Sequence, residues 1–67
     1  MRCVINGQTR ELPDDAAVTD AVAVLVPNAP LGIAVAVNGD VVPRSQWIST
    51  PLVDGARVEV LTAVQGG

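Results

Sequence analysis

The group in this sequence best suited to covalent chemistry sits at its last two residues, Gly66 and Gly67. Glycine has no Cβ and loses more conformational entropy on ordering than other residues, so a terminal pair adds nothing to packing. Behind the strand-like run from Val58 to Gln65, residues 64–67 read as a slim tail tipped by a free α-carboxylate. With an ordinary pKa of about 3.5, that carboxylate is ionised at neutral pH and available as a nucleophile. Val64, Gln65, Gly66 and Gly67 in extended form reach on the order of 13 Å, enough to thread a narrow channel while a folded body stays outside.

Other residues offer less. Cys3 falls on the same face as Ile5 in an alternating run, and no histidine exists to activate it, so it reads as a core cysteine. Asp14-Asp15 follows Pro13 in a turn-like step, where adjacent acids are usually solvated rather than metal-bound. Arg44 and Trp47 are open to partner contact, yet a lone Trp in an aromatic-poor chain more often seals a core edge. Gly39 and Gly55 are turn residues without phosphate-cradle spacing. The expectation is no catalytic residue, no metal and no bound cofactor.

Seven Asp/Glu oppose four Arg, with no Lys, for a net charge of −3. That balance disfavours nucleic acid and anionic membrane and favours a partner with a basic docking face. No apolar stretch approaches the roughly 20 residues of a membrane span. Met1-Arg2 leads into a β-like run rather than a secretory apolar segment, and the single cysteine permits no internal disulfide. A cytoplasmic domain is expected.

The elements that must carry the tail follow from periodicity. Arg2–Asn6 alternates as a strand, Asn6-Gly7 is a strong hairpin signal, and Gln8–Leu12 returns with Leu12 toward the core. Val18, Val22, Leu25 and Val26 share one helical face, with Thr19 expected as the N-cap, Asp20 at the positive helix end and Pro27-Asn28 as the stop. Ala29-Pro30-Leu31-Gly32 is a linker. Ile33–Val37 and Val41-Val42 form a second hairpin about Asn38-Gly39, and Arg44–Thr50 is irregular with one short turn. Asp54-Gly55 turns into a last strand from Arg57 to about Ala63, with Val58 and Val60 on one face. Hairpin, helix, hairpin and last strand make an α+β domain over residues 1–67, a β-grasp (ubiquitin-like) mixed sheet of four to five strands with one helix across one face. Val4, Ala34, Ala36, Glu59, Leu61 and Ala63 then face away from the helix, as a partner-docking surface or as an ordinary exposed sheet face.

Val35-Ala36-Val37-Asn38-Gly39-Asp40-Val41-Val42-Pro43-Arg44, Trp47, Leu52-Val53-Asp54-Gly55, Val58-Glu59-Val60 and Ala63-Val64-Gln65-Gly66-Gly67, in that order, closely resemble the ThiS family, sulfur carriers of thiamine biosynthesis. Ala56-Arg57 departs from the family pattern, where an acidic residue is expected. The resemblance implies a carrier that is not itself an enzyme and is a monomer when free. A ThiF-type adenylyltransferase would use ATP to adenylate the Gly67 carboxylate, and a sulfur donor such as a cysteine desulfurase would convert it to a thiocarboxylate. A ThiG-type thiazole synthase would then accept the sulfur. Alternatives are a carrier for molybdopterin or cysteine synthesis, a ubiquitin-like protein modifier, or a passive interaction module.

Overall fold

The computed structural model of the protein describes residues 1–27 and 32–62. The expected linker at Ala29-Pro30-Leu31 and everything from Ala63 to Gly67 lie outside them. Among the described residues, five strands form one sheet in the order β2-β1-β5-β3-β4, with one α-helix.

Alternation and turn chemistry build that sheet. In β1 (Arg2–Ile5), Cys3 and Ile5 are buried and Arg2 is exposed. Asn6 and Gly7 have φ of 49° and 82°, the left-handed pair that a type I′ turn requires. β2 (Gln8–Glu11) therefore returns antiparallel, Ile5 opposite Gln8. The same chemistry recurs at Asn38 and Gly39, with φ of 50° and 89°, joining β3 (Ile33–Val37) to the two-residue β4 (Asp40–Val41). The final strand, β5 (Arg57–Thr62), lies between the two hairpins, parallel to β1 and antiparallel to β3.

The helix α1 (Val18–Leu25) buries Val18, Ala21 and Val22 against the sheet. Its β-branched residues have modest intrinsic helix propensity, so the packed face supplies much of its stability. Thr19 is not the N-cap; Ala17 is, and it has no side-chain acceptor to offer. The first helical amides are satisfied from a distance instead. Val18 N–H donates to Thr50 O at 2.9 Å and Thr19 N–H to Trp47 O at 3.1 Å. Asp20 reaches back to accept from Ala17 N–H at 2.8 Å, half of a capping box. The backbone of residues 47–50 thus does what a capping side chain usually does.

Trp47 follows a short 3₁₀ turn at Arg44–Gln46 and is 5 % exposed, its indole N–H donating to Val42 O at 2.9 Å. It closes one edge of a core whose other members are Cys3, Ile5, Leu12, Ala16, Leu52, Ala56 and the apolar rows of α1, β3 and β5. Trp47 is the only aromatic residue, so small aliphatic side chains fill this space.

Being central, β5 must satisfy backbone groups along both edges. Its even-numbered residues point toward β1: Val4 N–H donates to Ala56 O and Asn6 N–H to Val58 O, both at 2.9 Å. β1 then turns away at Asn6-Gly7 while β5 continues, and the Asn6 side chain fills the gap. Its Nδ2 donates to Val60 O at 3.1 Å and its Oδ1 accepts from Val60 N–H at 2.7 Å. On the other edge Asn38 N–H donates to Arg57 O at 2.8 Å, and Asn38 Oδ1 accepts from Arg57 N–H at 2.9 Å. Each turn asparagine therefore has two tasks, a left-handed φ and a side-chain amide applied to β5.

Glycine tolerates both φ values, so asparagine-to-glycine changes isolate the side-chain bonds. Asn6→Gly, which strands a partly buried N–H and C=O, should cost about 1–3 kcal/mol. Asn38→Gly, which frees one solvent-accessible N–H, should cost about 1 kcal/mol or less. Urea-unfolding midpoints of the two variants would check the order.

Candidate functional site

The sheet face turned away from α1 is a described surface open to a partner. Strand register decides its membership, because directly paired residues share a face. Ala34 lies opposite Leu61, Ala36 opposite Glu59, and Val4 opposite Arg57. The expected residues Val4, Ala34, Ala36, Glu59 and Leu61 thus share one surface. Leu61 is 64 % exposed and Glu59 and Ala34 are also exposed, whereas Val4 and Ala36 are half-buried. Ala63, the sixth, lies outside the described residues.

Val41 and Arg57 are among the residues of this face that sequence reasoning missed. Val41 pairs with Ala36 and is 74 % exposed, extending the apolar strip toward the β4 edge. A two-residue turn at Asn38-Gly39 already dictates that register, so the signal was present. Arg57 projects beside Val4, bringing a positive charge next to Glu59. A shallow hollow among Val4, Asn6, Gly7, Arg57, Glu59 and Leu61 joins the apolar strip to these two charged residues. The arrangement combines a flat apolar centre with scattered charge, which suits recognition rather than bond-making. Among the described residues, no group of three His, Cys, Asp or Glu could hold a metal ion.

The expected tail residues Val64, Gln65, Gly66 and Gly67 also lie outside the described residues. The nearest described point is Thr62, which pairs with Ile33 at the end of β5.

Among the remaining candidates, Cys3, Asp14, Arg44 and Trp47 make contacts within the fold. Cys3 is 0 % exposed and its Sγ contacts Val53 O at 3.7 Å. Asp14 accepts from the Met1 ammonium at 3.0 Å, while that ammonium also donates to Leu12 O at 2.8 Å. The hydrogen bond to Asp14 raises the ammonium pKa above its ordinary value of about 8. Because the folded value is the higher one, this contact stabilises the fold fully below about pH 8 and fades as the pH rises through the raised value. The Arg44 guanidinium stacks 5.0 Å from the centre of the Trp47 ring. Both flank a cleft at the end of α1, with Thr19, Val22, Val26 and Ile48 among its other walls. No helix among the described residues is long and apolar enough to cross a membrane.

The model of the ThiS family matches residues 3–67. The crystal structure of the thiamine biosynthesis protein (ThiS) from Geobacter metallireducens superposes with a TM-score of 0.79 at 28 % identity, covering 100 % of both chains. No curated protein gives a significant match.

Burial makes one claim about Cys3 directly checkable. A thiol reagent should modify it only through unfolding, so its rate should follow the unfolded fraction as urea is raised. Rapid labelling in native buffer would show that Cys3 is accessible after all.

Proposed function

The chain belongs to the ThiS family, and from that premise we propose that it is the sulfur carrier of thiamine biosynthesis, a co-substrate whose reacting group is the Gly67 α-carboxylate. The observation that carries this reading is the family match over residues 3–67, which extends through Gly66-Gly67. The whole-chain likeness to a thiamine biosynthesis protein supports it.

The chemistry proceeds in two displacements. A ThiF-type adenylyltransferase binds ATP, and a Gly67 carboxylate oxygen attacks the α-phosphorus, expelling pyrophosphate and leaving an acyl-adenylate. Hydrosulfide, released from a donor persulfide such as that of a cysteine desulfurase by a thiol reductant that is oxidised to a disulfide, then attacks the acyl carbon. The carbon–oxygen bond to AMP breaks and a thiocarboxylate remains. A ThiG-type thiazole synthase takes the sulfur into the thiazole ring, and the carrier returns as its carboxylate. Gly66 and Gly67 let the backbone approach nucleotide and enzyme closely where a side chain would collide. Activation must come first because hydroxide is a poor leaving group and AMP a good one.

The body supplies recognition. The outer sheet face, with Val4, Ala34, Ala36, Val41 and Leu61 around Glu59, is the surface we assign to the activating enzyme. The net charge of −3 favours a basic partner face.

Intact mass after incubation with ATP, the adenylyltransferase and sulfide should rise by the difference between sulfur and oxygen. An unchanged mass would refute the carrier reading, and isopeptide adducts on other proteins would replace it with a modifier. Deleting Gly67 should abolish pyrophosphate release while leaving the unfolding midpoint in place. Leu61→Asp should raise the carrier's KM for adenylation about tenfold, the equivalent of ~1.4 kcal/mol, with kcat little changed. Val24→Asp, on the helix, should leave KM alone; equal effects at both positions would move the docking surface elsewhere.

A further inference from the structure

The Asn6 side chain does more than complete a turn. Beyond Val58, the β1 edge of β5 has no strand beside it, because β1 has already left through Asn6-Gly7. The Asn6 amide occupies that place and grips both backbone groups of Val60, at 2.7 Å and 3.1 Å. A planar amide offering one donor and one acceptor reproduces what the next residue of a paired strand would present. The ladder on this edge therefore ends at Val60 rather than Val58, seven residues before Gly67. On the other edge Val60, Leu61 and Thr62 pair with Val35, Ala34 and Ile33. With Asn6 in place, the end of β5 is held on both edges, by Asn6 at Val60 on one and by pairing with β3 on the other. Without it, the end of β5 hangs from β3 alone.

Asn38 is a natural comparison. It is also an asparagine at a left-handed turn position with its amide on β5, but it holds Arg57, at the start of the strand. Loosening Arg57 disturbs the strand far from its exit. Val60 lies two residues before Thr62, the last described residue of the strand, where β5 leads toward the C-terminus.

We propose that Asn6 is a positioning residue for the C-terminal carboxylate, fixing the exit direction of β5 so that the docked body delivers Gly67 to the nucleotide. The role of the carboxylate rests on the carrier reading above; the tether to Val60 does not. A reacting group displaced by about 1 Å can lose on the order of a hundredfold in rate, so a partial loss of aim is expected to be measurable. The body still docks through its outer face, so the defect belongs in kcat and not in KM.

The test compares Asn6→Gly with Asn38→Gly, both compatible with the turn backbone, by two measurements on the full chain. Amide hydrogen exchange should accelerate in Asn6→Gly at Val60 about tenfold more than at Val58, a local opening at the strand end. In ATP–pyrophosphate exchange catalysed by the ThiF-type enzyme, kcat for Asn6→Gly should fall about tenfold with KM within about twofold, while Asn38→Gly keeps kcat. Asn6→Asp retains the acceptor for Val60 N–H and loses the donor. It should fall between wild type and Asn6→Gly, and it serves as the test if Asn6→Gly does not fold.

Equal kcat losses in the two glycine variants, or wild-type kcat in Asn6→Gly, would overturn the positioning role while leaving the carrier intact. Exchange at Val60 no faster than at Val58 would overturn the tether itself. A wild-type chain that no such enzyme adenylates would instead defeat the carrier reading and the positioning role with it, the exchange data still reporting on the tether.

Discussion

Everything in this fold depends on placing the last strand in the middle of the sheet. A central strand has a backbone donor and acceptor to satisfy at every residue on alternating edges, and each failure costs about 1–3 kcal/mol. The neighbours of β5 are a four-residue strand on one side and a five-residue strand on the other, against its own six. Main-chain pairing alone cannot cover it. Two side-chain amides make up the difference, Asn6 at Val60 and Asn38 at Arg57. The hairpins can be short because their turn residues also finish the central ladder.

That dual use shows what the sequence made legible and what it hid. Alternation identified Cys3, Ile5, Val35, Val58 and Val60 as inward residues, and all five are buried. The Asn-Gly steps located both turns because their φ requirement is local. The contacts of the same asparagines with β5 are not local: Asn6 and Val60 lie 54 residues apart. Thr19 failed as a cap for the same reason. A hydroxyl near a helix start is a local signal, but the Val18 and Thr19 amides are served by carbonyls of Thr50 and Trp47. No pattern within α1 announces those partners. Val41 belongs to a different class, since the turn implied its register and the face could have been extended to it.

A core of Val, Ala, Leu and Ile with one Trp constrains the rest of the molecule. Small side chains fill space only when the layers lie close, and the backbone pairings around α1 hold them so. Leu52 N–H donates to Ala16 O at 3.0 Å and Val18 N–H to Thr50 O at 2.9 Å, drawing residues 50–52 against the helix start. Trp47 fills the remaining edge with its indole N–H paired to Val42 O, as a buried polar group requires. No buried side-chain polar atom among the described residues lacks a partner. Cys3 belongs to this packed interior, its Sγ against Val53 O.

α1 covers one face of the sheet, and the opposite face carries Arg57 and Glu59 in an apolar strip but no histidine, because the chain has none. Such a surface lacks the side chain whose ordinary pKa lies nearest neutrality and suits recognition. On the carrier reading proposed above, the activating enzyme supplies the catalysis, which couples recognition at the sheet face to delivery of the C-terminal carboxylate. The rigid link between the two is β5, which contributes Arg57, Glu59 and Leu61 to the outer face and then leads into the final residues. A partner that grips the strand's outward side chains also holds the base of the segment it must act on. On that reading, docking and aim are properties of a single strand.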